Sequence, residues 1–144
     1  MGNLPDVNVL VYAHNRAAPR HQRFRDWLEE QVNASADFGL AELVLSSFIR
    51  VVTHPRVMAV PTPLVTAFDF VAGLRGQPNV VVVAPGAQHW EIFRSLATSV
   101  DARGNLVADA YLAALAIESG CEFVTTDRDF ARFPGLRWRH PLRP

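Results

Sequence analysis

From Gly104 to Ile117 the chain carries one charged residue, Asp109, in a stretch otherwise apolar nearly all round a helix. A helix of that kind belongs inside a packed core rather than on a surface. Asn105 reads as its N-cap and Gly120 as its stop. A buried, unpaired carboxylate costs on the order of several kcal/mol, and the stretch offers no Arg or Lys to relieve it. The segment therefore constrains the fold and marks a position where a carboxylate needs a reason to be.

Around it, strand and helix signals alternate. Asn79 to Pro85 reads as the clearest buried strand, a run of valines bounded by Pro78 and Pro85. Helical patterns cover Pro19 to Asn33, with Phe24, Trp27, Leu28 and Val32 on one face; Ala41 to His54, stopped by Pro55; Pro63 to Gly76; and Gln88 to Val100. The run Val7 to Ala13 fits a strand or a buried helix. Glu122 to Thr126 reads as a short strand, Asp127 to Phe133 as a turn or short helix, and Leu136 to Leu142 as a final edge strand. This alternation predicts an α/β fold, a three-layer α/β/α sandwich with a central, mostly parallel sheet of about five strands. The 144 residues suit one domain spanning 1–144. In such sheets ligands collect beyond the carboxyl ends of the strands.

Composition narrows the setting. No apolar run reaches the roughly 18–20 residues that cross a bilayer, and the first residues lack a basic n-region and a small-residue cleavage site. Cys121, the one cysteine, lies in an apolar stretch and reads as a core residue. These features predict a cytoplasmic protein with no membrane partner. Net charge is zero, yet all fourteen basic residues are Arg. Guanidinium groups suit phosphate recognition, although a GC-rich genome explains the same usage.

Four acids stand apart from mixed, solvent-facing company. Asp6, Glu42 and Asp109 each interrupt an apolar run, and Asp127 follows the strand ending in Thr125-Thr126. Each alone has a plain explanation, as a helix cap or a charge at a helix amino end. Together they fall at strand ends or first helical turns, where an α/β sheet gathers its ligand. Converging carboxylates raise one another's pKa unless a cation joins them. All-oxygen ligands select hard ions such as Mg²⁺ or Mn²⁺ over Zn²⁺.

The ordered set resembles PIN-domain ribonucleases, and especially VapC toxins. It comprises Asp6-x-Asn8, Glu42 opening a helix after a short strand, Asn105-x-x-x-Asp109, and Thr125-Thr126-Asp127-x-Asp129-Phe130. The resemblance covers essentially the whole chain, and the segments VVTHPRV and RGNLVADA are similar to a VapC subgroup abundant in mycobacteria. It implies that Asp6 ends the first strand and that Val7 begins a helix, against that run's β-branched composition. It implies further that Asp6, Glu42, Asp109 and Asp127 hold Mg²⁺ or Mn²⁺ and carry catalysis. Asn8, Asn105, Thr126 and Asp129 would then support them. It also implies a homodimer and a VapB-type antitoxin whose C-terminal segment covers the acidic site. The apolar surface of the Pro19–Asn33 and Pro63–Gly76 helices is expected to serve those contacts.

The expected chemistry is hydrolysis of structured RNA, tRNA or rRNA, by metal-activated water, leaving 5′-phosphate and 3′-hydroxyl ends. The five histidines show no metal-ligand spacing, and such a mechanism needs none of them. Arg128, Arg137 and Arg139, in a basic tail with Trp138, are candidate RNA contacts. A receiver domain or a haloacid-dehalogenase-type phosphatase does not fit. The former needs a late Lys and the latter Asp-x-Asp, where this chain has Asp6-Val7-Asn8. Neither a P-loop nor a dinucleotide fingerprint occurs. Two rivals share the fold: a PIN nuclease of RNA processing or DNA repair, and a non-catalytic RNA-binding module.

Overall fold

A computed structural model describes residues 2–143. Its sheet comprises β1 (Asn3–Pro5), β2 (Phe38–Ala41), β3 (Val80–Val83), β4 (Glu122–Val124) and β5 (Trp138–Arg139). All pairings are parallel, in the order β3-β2-β1-β4-β5. Six α-helices connect them: α1 (Val7–His14), α2 (His21–Asn33), α3 (Glu42–Val52), α4 (Leu64–Arg75), α5 (His89–Ser99) and α6 (Asn105–Ser119). A 3₁₀ turn, Arg128–Arg132, lies between β4 and β5.

The strand order explains the layers. From β1 through β2 to β3 the chain steps one way across the sheet; from β3 it returns past β1 to β4. Right-handed crossovers in opposite directions place their helices on opposite faces. The packing agrees, with α1 to α4 forming one connected group and α5 against α6 another. The direction reverses between β1 and β4, so the switch-point crevice opens where those two strands end. Asp6 follows β1 and Asp127 lies just past β4.

The core runs through both faces of the sheet. Leu4, Phe38, Leu40, Phe48, Leu115 and Phe123 are among its fully buried side chains. Val7–His14 is helical despite its valines. Asp6 caps it, accepting from the Val7 N–H at 2.7 Å, and Val9, Leu10 and Ala13 are buried. Packing of one face outweighs a β propensity that spans only about 1 kcal/mol.

Two sequence expectations need correction. The valine run of β3 is an edge strand, with Val81 and Val82 exposed, rather than the most buried one. An uninterrupted apolar run fits either position, and only the topology distinguishes them. Asn105 is the first residue of α6 rather than its cap, which is Gly104 at φ 56°, ψ −127°, a conformation only glycine adopts readily. The apolar helix is buried over its second half, Ala110 to Ala116, while its first turn is open. Gly120 ends it in the left-handed conformation, as expected.

Candidate active site

Asp6, Asn8, Asn105, Asp109, Asp127 and Asp129 line one cleft of about 1000 Å³ at the carboxyl edge of the sheet. Separate elements bring them there. Asp6 sits in extended backbone between β1 and α1, its N–H donating to the Val124 carbonyl at 2.8 Å. Asp109 is on the second turn of α6, and Asp127 begins the 3₁₀ turn after β4.

Asp6 is the most firmly held. It is buried, and Thr125 donates its hydroxyl to Asp6 Oδ2 at 2.7 Å. Asn8 Nδ2 approaches the same oxygen at 3.4 Å, while Asn8 Oδ1 faces the Thr126 N–H at 3.5 Å. Thr125 Oγ1 also accepts from the Asp127 N–H at 3.0 Å, linking two acids through one side chain. Asp127 Oδ1 in turn accepts from the Asp129 N–H at 2.9 Å, which closes the 3₁₀ turn. Burial raises the pKa of Asp6, the bonds from Thr125 and Val7 oppose that rise, and the nearby Asp127 charge adds to it.

Asp109 shows the cost of convergence most clearly. Partial burial and then the charges of Asp127, Asp6 and Asp129 push its pKa up to about 6. Among the described residues no Arg or His lies within ion-pairing distance of these four carboxylates. Nor do three acidic or imidazole groups there already close around one metal-sized point. The cluster is assembled by the fold but left electrostatically unsatisfied.

Glu42 stands apart. It opens α3 at the same edge, but its side chain is 68% exposed and pairs with Arg75 Nη2 of α4 at 3.4 Å, outside the cleft. Asn105 lines the cleft from the open first turn of α6. The hydroxyl on Asp6 belongs to Thr125, a residue the sequence reading passed over in favour of Thr126. Its position carries little signal, because Phe123 and Val124 of β4 and Thr125 just after it are all buried in succession, so alternation cannot single one out.

The basic residues are also redistributed. Arg50, Arg103 and Arg132 line the acidic cleft. Arg137 instead donates to the Gly120 carbonyl at 2.9 Å, just before β4 and so at the amino edge of the sheet. Arg139 faces Glu122 at 3.0 Å. Arg128, between the two site acids of the 3₁₀ turn, is exposed.

The PIN domain family model matches residues 4–136. Ribonuclease VapC43 of Mycobacterium tuberculosis is 48% identical over 95% of this chain and 93% of its own. Ribonuclease VapC25 of the same organism is 40% identical over 96% and 97%. Among solved structures, VapBC2 from Rickettsia felis, bound to a DNA fragment from its promoter, superposes with a TM-score of 0.71 at 18% identity, covering 97% of this chain and 98% of that one. Mycobacterium tuberculosis VapC20, described as a sarcin–ricin-loop-cleaving toxin, gives 0.66 at 17% identity over 94% and 98%. With its acids arranged at the switch point of an all-parallel sheet, the chain belongs to the PIN-domain family and, within it, to the VapC ribonucleases.

Proposed function

We propose that this protein is a Mg²⁺- or Mn²⁺-dependent endoribonuclease, the toxin of a type II toxin–antitoxin pair, acting on structured RNA. The observation that carries the reading is the meeting of Asp6, Asp109, Asp127 and Asp129 in one cleft, with no cationic side chain among the described residues paired to them. An all-carboxylate donor set whose members hold one another's charge in check fits a hard divalent ion. Asp6, Asp109 and Asp127 would hold it. Glu42 would join them on leaving Arg75, an exposed pair worth at most about 1 kcal/mol. When bound, such an ion lowers the pKa of water and offsets charge on a phosphodiester in hydrolysis.

The chain's own groups do the positioning. Thr125 and Asn8 fix the Asp6 carboxylate, so its free lone pairs point in one direction. The pKa of Asp109, raised to about 6 by burial and by the neighbouring acids, marks the crowding of negative charge that a cation would relieve. Arg50, Arg103 and Arg132 present guanidinium groups at the cleft, matched to phosphates flanking the scissile one.

A VapB-type antitoxin and a second copy of the chain are the expected partners. Val57, Val60, Leu64, Val65 and Phe68 expose apolar surface on α4 and the loop before it. This surface suits a protein contact. On α2, by contrast, Phe24, Trp27 and Leu28 are buried, so the apolar contact surface belongs to α4 alone of the two expected helices. Light scattering of the protein with and without the coexpressed antitoxin tests both associations.

Incubation of the purified, antitoxin-free protein with total bacterial RNA tests the activity. Discrete cuts with Mg²⁺ or Mn²⁺, bearing 5′-phosphates and abolished by EDTA, are expected. RNA binding without cleavage in either metal would favour a non-catalytic module.

A further inference from the structure

The C-terminal strand and the start of α2 bring together basic residues that sequence separates by more than a hundred positions. His140 follows β5, and its ring packs at 6.2 Å from Phe24 of α2. The Arg143 N–H donates to the His140 carbonyl at 3.2 Å, folding the tail back on itself. At the other side, His21 Nδ1 lies 2.8 Å from the Tyr12 carbonyl, which pins the amino end of α2 beside α1. Arg20 directly precedes α2, and Arg23 on its first turn shares a groove with Pro141 and Leu142 of the tail.

We propose that Arg20 and Arg23 at the start of α2, Arg143 of the tail packed against it and Arg128 of the 3₁₀ turn form a phosphate-binding track that leads the RNA backbone to the acidic cleft. The proposal rests on the nuclease reading above and extends it to a surface outside the catalytic cleft. All four arginines are exposed, and among the described residues none has an acidic partner within ion-pairing distance. Continuity with the cleft is direct. Arg128 lies between Asp127 and Asp129, and the Thr125 N–H donates to the Arg139 carbonyl at 3.0 Å, so His140 begins just beyond the threonine that holds Asp6. The track has a boundary, because Asp26 and Glu30 line the groove farther along α2. Burial and then the charges of Arg143, Arg20, Arg128 and Arg23 also keep the His140 pKa low. A polyanion is the ligand that relieves such crowding.

The experiment measures binding of bulk tRNA in EDTA, so that cleavage plays no part, across a salt series. For Arg20→Gln/Arg23→Gln/Arg128→Gln/Arg143→Gln, affinity at low salt should fall by roughly tenfold or more. The salt slope should shrink by about 3, close to one unit per lost phosphate contact. Arg20→Gln/Arg23→Gln alone, which leaves the tail intact, should show about half that change in slope. Arg137→Gln, on the opposite edge of the sheet, should leave affinity and slope unchanged. Unchanged slope and affinity in the folded fourfold variant would overturn the track, even with metal-dependent cleavage intact. Normal RNA binding combined with a lost antitoxin complex would reassign the patch to a protein and also overturn it. Failure of the wild type to cut RNA in metal, with the salt-slope changes as predicted, would leave the track standing and refute only the nuclease.

Discussion

Helix α6 carries two carboxylates nine residues apart, and the fold treats them in opposite ways. Glu118, near its end, accepts from the backbone N–H groups of Gly86 at 2.7 Å and Gln88 at 3.0 Å, tying the start of α5 to α6. The Gly86 bond above all holds its pKa below the ordinary glutamate value. Asp109, near the beginning, accepts no such bond among the described residues, faces three other acids, and has its pKa pushed up to about 6. A carboxylate that serves structure is satisfied by the chain itself. One left unsatisfied on the same rigid element is available to something from outside.

The largest expected effect comes from removing the unsatisfied members. Asp109→Asn or Asp6→Asn should lower metal-dependent RNA cleavage by more than about 100-fold, exceeding the 10–100-fold typical of residues that only support ligands. Glu118→Gln should leave the cleavage rate at the wild-type level. Equal losses in all three would erase the distinction between the two ends of α6.

Thr125→Val removes the hydroxyl from Asp6 while keeping the shape. Cleavage should fall by about 10–100-fold and stability by about 1–3 kcal/mol, since Asp6 remains buried with one fewer donor. Thr126→Val should do neither, because only its backbone N–H reaches Asn8. Urea titrations and initial rates read the two quantities separately.

The pH dependence of metal-free stability follows from the raised pKa of Asp109. Its folded value of about 6 lies above the ordinary 3.8, so the folded state holds the extra proton between them. Stability therefore falls as pH rises through that window. The Asp109→Asn variant should escape the fall and be more stable than the wild type at pH 7, by about 1 kcal/mol after solvent screening. The advantage should vanish near pH 4, and thermal melts in EDTA across this range test both ends.

The smallest effect concerns the satisfied end. A Cβ on Gly86 would sit 2.7 Å from Glu118 Oε2, so Gly86→Ala must shift that carboxylate against its bonds to the Gly86 and Gln88 amides. A small drop in Tm with normal cleavage is expected, and Glu118→Ala should make the two changes less than additive.

Much of this was legible in the sequence, for a physical reason. Asp109 stood out because burial makes an isolated charge costly, and that cost is as visible in a string of apolar letters as in coordinates. Asp6 and Asp127 were readable as residues just past strands, since parallel sheets gather ligands there. The failures share a different cause. That β3 is an edge strand depends on strand order, which no local pattern encodes. Thr125 was hidden because both faces of β4 are buried. The outward turn of Glu42 depends on Arg75, thirty-three residues on and brought close only by the packing of α4 on α3. The proposed arginine track draws on three separate segments, and the packing of the tail on α2 exists only in the folded chain.

The most direct test is a carboxyl-carbon NMR titration of the metal-free protein, repeated in saturating Mg²⁺, with Asp109 and Glu118 followed in the same sample. The account predicts an Asp109 midpoint near 6 without metal, falling below about 5 when Mg²⁺ is bound, while Glu118 stays below its ordinary value in both. An Asp109 that titrates like a free aspartate without metal, or that ignores Mg²⁺, would contradict it.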